Sequence, residues 1–175
     1  KHSDLRYGEN PHQRAALYLS PGVAGPLGAT LLQGKALSYN NILDLDAAWA
    51  LVNDLAGPSA VIIKHNNPAG AASAPDLPTA MAAALAGDPV SAFGGVIAVN
   101  QALDAASLRA LGDLFVEALI APGYTPDALD LLAARPNVRV LAAEPGVGVT
   151  GGWDVRSVRG GFLLQDPDRP DQAPW

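Results

Sequence analysis

Lys64 and His65 stand side by side where an apolar, β-branched run, Ala60-Val61-Ile62-Ile63, gives way to Asn66-Asn67-Pro68-Ala69-Gly70. Histidine can exchange a proton near neutral pH, and a cation beside a histidine favours the neutral ring. The pair could therefore act as a general base with an ammonium at its side. Strand ends in α/β folds open onto ligand crevices, which marks this position as a functional candidate. The plainer reading is a polar strand end whose histidine is only hydrogen-bonded.

Other residues invite similar weighing. Arg6-Tyr7 and His12-Gln13 lie in a segment dense with hydrogen-bonding groups. An arginine fork donates two parallel bonds and so suits a phosphate, although exposed arginines are common on any surface. Ser91-Ala92-Phe93-Gly94-Gly95 could let the backbone approach a ligand closely, or could form a tight turn. Gly146-Val147-Gly148-Val149-Thr150-Gly151 matches the dinucleotide fingerprint letter for letter. That fingerprint works by aiming a helix N-terminus at pyrophosphate, and the segment after it, Trp153 to Val158, reads as extended. The match therefore lacks its mechanism.

Some chemistries are excluded outright. With no cysteine in the sequence, neither a disulfide framework nor a Cys-ligated zinc site can form. Zinc-deaminase chemistry needs a P-C-x-x-C pair and fails on the same count. No G-x-S-x-G elbow is present for a Ser-His-Asp hydrolase.

These residues need elements to hold them. The opening through Tyr18 reads as an extended arm leading into a short strand, and the Pro- and Gly-rich stretch from Pro21 to Gly28 as a loop. Leu45, Ala48, Trp49, Val52 and Leu55 recur at helical spacing, with Asp44 as the expected N-cap and Gly57-Pro58 as the stop. Ala60 to Lys64 reads as a buried strand and Asn66 to Gly70 as a loop. Helices are expected near Thr79–Ala86, Asp104–Leu114 and Asp127–Ala134. Strands are expected at Gly95–Val99, Val116–Ile120 and Val138–Leu141, with a last one, Val155–Gln165, broken by Gly160-Gly161. Alternating strands and helices favour an α/β sandwich with helices covering a largely parallel sheet.

The chain has 175 residues, 49% of them hydrophobic, enough for one domain with a real core. Its formal charge is -6 and its pI about 4.8, which argues against a broad footprint for nucleic acid or an anionic membrane. The start, Lys1 to Tyr7, is polar and lacks a signal-peptide core, and no apolar run is long enough to span a bilayer. A cytoplasmic location is the expectation.

Taken together, several segments resemble the AICAR transformylase family. They are Leu5-Arg6-Tyr7-Gly8-Glu9-Asn10-Pro11-His12-Gln13, then Gly34-Lys35-Ala36-Leu37-Ser38-Tyr39-Asn40-Asn41-Ile42-Leu43-Asp44-Leu45-Asp46-Ala47-Ala48. Ile63 to Ala71, Asp88 to Gly95, Ile120 to Tyr124 and Arg156 to Gln165 follow in order. Each alone is a common pattern, but the ordered series covers nearly the whole chain.

The resemblance implies a cytidine-deaminase-like three-layer α/β sandwich with a largely parallel or mixed sheet. It implies a single domain over 1–175, the N-terminal half of a transformylase region, with 166–175 as a linker or frayed end. The implied reaction is formyl transfer from 10-formyltetrahydrofolate, as co-substrate, to the 5-amino group of AICAR in purine biosynthesis, with no metal. His65 would be the general base and Lys64 its cationic neighbour. Arg6, Tyr7, Asn41, Gly94 and Glu117 would contact the nucleotide. The family's second half, its homodimeric partner and its separate IMP cyclohydrolase domain lie outside this sequence, so the expected partners are AICAR, the folate and the remaining half. The alternative is a non-catalytic folding and dimerisation module that binds nucleotide only when joined to that half.

Overall fold

The structure, a computed structural model, describes residues 1–145 and 153–167. Among these residues, strands and α-helices run in the order β1 (Ser3–Leu5), β2 (Ala15–Leu17), β3 (Thr30–Gln33), α1 (Tyr39–Asp54), β4 (Ser59–Lys64), β5 (Asn67–Ser73), α2 (Leu77–Gly87), β6 (Gly95–Val99), α3 (Ala105–Ala110), β7 (Val116–Ala121), α4 (Pro126–Ala133), β8 (Arg139–Ala142), β9 (Asp154–Val158) and β10 (Gly161–Gln165). Six of the strands form one sheet in the order β3-β8-β7-β6-β4-β5. The β6–β7 and β7–β8 pairs are parallel, and β3–β8, β4–β6 and β4–β5 are antiparallel. The sheet is thus mixed rather than largely parallel, because the β4–β5 connection is a tight hairpin and not a helical crossover.

Helices cover both faces. On one side α1 lays Leu45, Ala48, Trp49 and Val52 over Val61, Ile63, Val96, Ala98, Ala118, Ile120 and Leu141. On the other, α2, α3 and α4 bury Met81, Leu108 and Leu132 against Ile62, Ile97, Leu119 and Val140. Central strands buried on both faces read as continuous apolar runs, which explains why the stretch from Ala60 to Ile63 and strand Gly95–Val99 carry no polar side chain. Tyr124 fastens β7 to β8: its hydroxyl donates to the Leu141 carbonyl at 2.8 Å and lies 3.3 Å from the Leu119 carbonyl, and burial pushes its pKa well up.

Helix α1 begins earlier than its apolar spacing indicates. Its N-cap is Ser38, whose hydroxyl accepts from the Asn41 backbone N–H while the Asn41 side chain accepts from the Ser38 N–H. This reciprocal box satisfies two amides that the helix leaves free. Asp44, expected as the cap, lies inside the helix and has another task described below.

The segment 66–70, expected as a loop, is a turn and then a strand. His65 and Asn66 form the two-residue turn between Lys64 and its partner Asn67, both with positive φ (50° and 62°). Such a turn matches the natural twist of a hairpin. Pro68 is tolerated because β5 is an edge strand, and the ladder shifts register there, Ile62 facing Gly70 and Ile63 facing Pro68. Gly70 is required for a different reason: a Cβ there would lie 1.9 Å from the Ala84 carbonyl oxygen of α2.

The remaining expectations hold in substance, with helix α3 ending at Ala110 instead of running to Leu114. Strand β3 follows the loop over 21–28, in a stretch for which the sequence sets no expectation. The arm folds back as the β1–β2 hairpin, and the Gly160-Gly161 break turns the last strand into the antiparallel β9–β10 hairpin. The Gly146–Gly151 fingerprint and the tail from 168 onward lie outside the described residues.

Candidate functional site

Antiparallel pairing of β4 with β6 has a consequence for where chemistry can gather. The carboxyl end of β4, carrying Lys64 and His65, lies at the same sheet edge as the amino ends of β6, β7 and β8. Ligand crevices of parallel sheets usually lie at the carboxyl ends. Here the residues singled out from sequence collect at the opposite end, because they belong to β4, which runs against β6, β7 and β8, and to the first residues of those neighbours.

The centre of this edge is a bond between β4 and the loop before β6. The Lys64 ammonium donates to the Gly94 carbonyl at 3.0 Å. Gly94 has φ +66°, and its N–H donates to the Phe115 carbonyl at 2.7 Å. The loop is preset by Asp88, whose carboxylate accepts from the Val90 and Ser91 amides and from the Ser91 hydroxyl. The Ser91 hydroxyl and amide hold the Asp88 carboxyl below the usual range. Phe93 and Phe115 lie beside it with ring centroids 5.5 Å apart, both substantially exposed.

His65 occupies the hairpin tip in left-handed backbone geometry, which is uncommon for a residue other than glycine. The turn is held from outside: the Asn66 N–H donates to the Asp44 carboxylate at 2.7 Å. Asp44 projects from α1, and with Glu9, Asn40, Leu43, His65 and Asn66 it lines an open cleft of about 310 Å³. The Asn40 side chain also donates to the Glu9 carbonyl at 3.4 Å, joining the N-terminal arm to α1. Backbone strain of this kind persists only where surroundings enforce it, and it is concentrated at functional sites.

A second cluster lies further along the edge. Gly95 pairs with Val116 and Val96 with Ala118, so Glu117 is the extra residue of a bulge in β7. Its Oε1 receives the Arg139 Nη1 at 2.6 Å and the Asn41 Nδ2 at 3.4 Å. Asn41 is buried, with its Oδ1 on the Ser38 amide and its Nδ2 on Glu117. Arg139 is mostly buried, and its Nε has no partner among the described residues.

The structure thus brings Lys64 and Gly94 into direct contact, and Asn41 and Glu117 likewise. Arg6 and Tyr7 sit on the arm, with the Arg6 guanidinium 5.6 Å from the Tyr7 ring centroid, and form no hydrogen bond to these strand ends among the described residues. Sequence reasoning missed Asp44 as an anchor and missed Arg139 altogether. The signal for Arg139 was a lone cation between Val138 and Val140 in a strand otherwise apolar. Among the described residues, no three His, Asp or Glu side chains converge as a metal-ligand set would. No described helix is long and apolar enough to cross a membrane.

A family model described as AICARFT/IMPCHase bienzyme matches residues 1–174. A bifunctional purine biosynthesis protein of Acidithiobacillus ferrooxidans is 51% identical over 174 residues, covering 99% of this chain and 33% of that protein. Proteins of the same description from Myxococcus xanthus and a Synechococcus strain are 50% and 47% identical, covering 96% and 97% of the chain and 34% of each protein. The chain spans about a third of the length of these curated relatives.

Proposed function

We propose, from the premise that this chain belongs to the AICARFT/IMPCHase bienzyme family, that it supplies the nucleotide side of a formyl-transfer site in purine biosynthesis. On this reading it is the first half of a transformylase region, and the remaining half brings most contacts to the 10-formyltetrahydrofolate co-substrate. The observation that carries the reading is the strained His65 turn, pinned by Asp44 next to a lysine that is itself fixed on Gly94.

The chemistry follows from these groups. The AICAR amine is conjugated with its ring and is a poor nucleophile, so its attack on the formyl carbon needs a base. His65 takes the amine proton as the new C–N bond forms. The carbonyl electron pair moves to oxygen, and the Lys64 ammonium offsets that charge. An ammonium has three donors; Gly94 holds one, so Lys64 is oriented without being used up. Collapse of the tetrahedral species breaks the bond to the folate nitrogen, which leaves with a proton. Arg6, Tyr7, Asn41, Gly94 and Glu117 serve nucleotide binding in this scheme. Two substrates held together supply much of the remaining acceleration.

The decisive experiment compares His65→Ala and His65→Gly in a full-length enzyme carrying this segment. Turnover should fall roughly 10²–10⁴-fold in both, with AICAR affinity changed far less. Glycine relieves the positive φ, so His65→Gly should melt no lower than the parent. A His65→Gly enzyme that keeps its full rate constant would overturn the assignment.

One observation favours a second reading, a folding and dimerisation module. The β9–β10 hairpin exposes Val155, Phe162 and Leu164, which its register places on one face. A lone two-stranded hairpin is marginal in water. Purified chain that binds AICAR would argue for the first reading over this one.

A further inference from the structure

We infer that Arg139 is a positioning residue of the nucleotide site, acting through Glu117. The inference rests on the reading above, in which Glu117 accepts a hydrogen bond from the nucleotide, and it assigns a role to a residue that the motifs do not touch.

Three observations converge. Glu117 owes its direction to the bulge: it is the additional residue between Val116, which faces Gly95, and Ala118, which faces Val96. Bulges re-aim side chains where a regular strand would point them elsewhere. A re-aimed carboxylate needs to be held, and it is. Arg139, the first residue of β8, sits opposite Ala118 in the ladder and reaches back to Oε1 at 2.6 Å. Asn41, locked in the α1 capping box, reaches the same oxygen at 3.4 Å. Both donors converge on Oε1. Among the described residues Oε2 has no partner, and the Glu117 side chain keeps 32% of its surface open.

The division of labour is physical. A carboxylate can accept several hydrogen bonds, so holding one oxygen leaves the other free for a ligand N–H or O–H. A charge-assisted bond from the mostly buried Arg139 holds the Glu117 carboxylate in place without a ligand. That preorganisation removes an ordering cost from binding. Arg139 reaches the carboxylate through Nη1 alone, so a planar guanidinium on a mostly buried side chain sets the direction of that one bond. The substrate class that gains is a ligand with a hydrogen-bond donor at the α1–β7 edge, such as the hydroxyls or amide of a ribonucleotide.

The test is a double-mutant cycle on AICAR affinity in a full-length enzyme carrying this segment. Arg139→Met should weaken nucleotide binding about tenfold in the parent, in line with loss of a charge-assisted bond, while the rate constant at saturation changes little. In a Glu117→Gln background the same change should cost less than about twofold, because the carboxylate it positions is gone. Arg139→Lys should fold and recover part of the loss, which covers the case in which Arg139→Met folds poorly. Melting temperature is measured alongside, since a purely structural arginine would lower it without coupling to Glu117 in affinity. Additive effects of the two substitutions on affinity, or unchanged affinity in both Arg139 variants, would overturn the inference. His65 turnover is independent of this cycle, so its failure would leave the base assignment standing.

Discussion

The Lys64 ammonium and the Gly94 carbonyl are bonded at 3.0 Å across two antiparallel neighbours, and each constrains the other. Gly94 stands at φ +66°, and a Cβ there would come within 3.1 Å of that same ammonium. Gly94→Ala should therefore cost about 1 kcal/mol or more in stability from the backbone alone. It should also displace Lys64, so turnover in a full-length enzyme should fall further than the melting temperature suggests. An unaltered rate constant at normal folded fraction would show that Lys64 placement does not matter.

Asp44 holds the His65 turn through the Asn66 amide. Asp44→Ala should lose about 1 kcal/mol of turn stability. The base would then sample other positions, so turnover should drop several-fold while AICAR affinity stays close to normal. Asp44→Asn keeps an acceptor oxygen and should recover most of the rate. If alanine and asparagine behave alike, the anchor is not the operative contact.

Acid titration should report on the Asp88 loop. Its hydrogen bonds to Ser91 and Val90 lower the folded pKa below the ordinary 3.8. The stabilisation is then fully present above 3.8 and is lost as pH falls through the lower folded value. Wild type and Asp88→Asn should differ in denaturation midpoint near neutral pH and converge as pH falls below the ordinary 3.8 and through the lower folded value. A gap that persists at acid pH would mean the carboxylate charge is irrelevant to the loop.

On the proposed reading the isolated 175-residue chain should show no formyl transfer, since that reading leaves most folate contacts to the remaining half. The exposed face of Val155, Phe162 and Leu164, with Phe93 and Phe115, should drive self-association. Light scattering should find dimers or larger species. A monomer across a wide concentration range, or robust turnover, would contradict these expectations.

Much of the frame was legible because burial leaves a strong mark. Strands β4, β6 and β7 carry apolar, buried centres, and their bounds match the sequence expectation to within a residue or so. What escaped was local geometry overruled by context. Pro68 and Gly70 read as loop, yet Pro68 sits on an edge and Gly70 lets α2 approach. Ser38 was hidden as a cap because its box closes with Asn41 where glutamate or glutamine is commoner. The Glu117–Arg139 pair could not be inferred from spacing, since a bulge breaks the alternation that spacing relies on.

The irregularities on the two outer strands bear on solubility. On β5, Pro68 lacks an N–H and the register slips beside it; on β3, Leu31 faces Leu141 and Gln33 faces Val140, leaving Leu32 unpaired. Both outer strands are thus irregular, and breaks in regular geometry disfavour pairing with a strand from another molecule. The six-stranded sheet is therefore a poor template for open-ended growth at its two margins, so association through that sheet should run through side chains and not extend as a continuous backbone ladder.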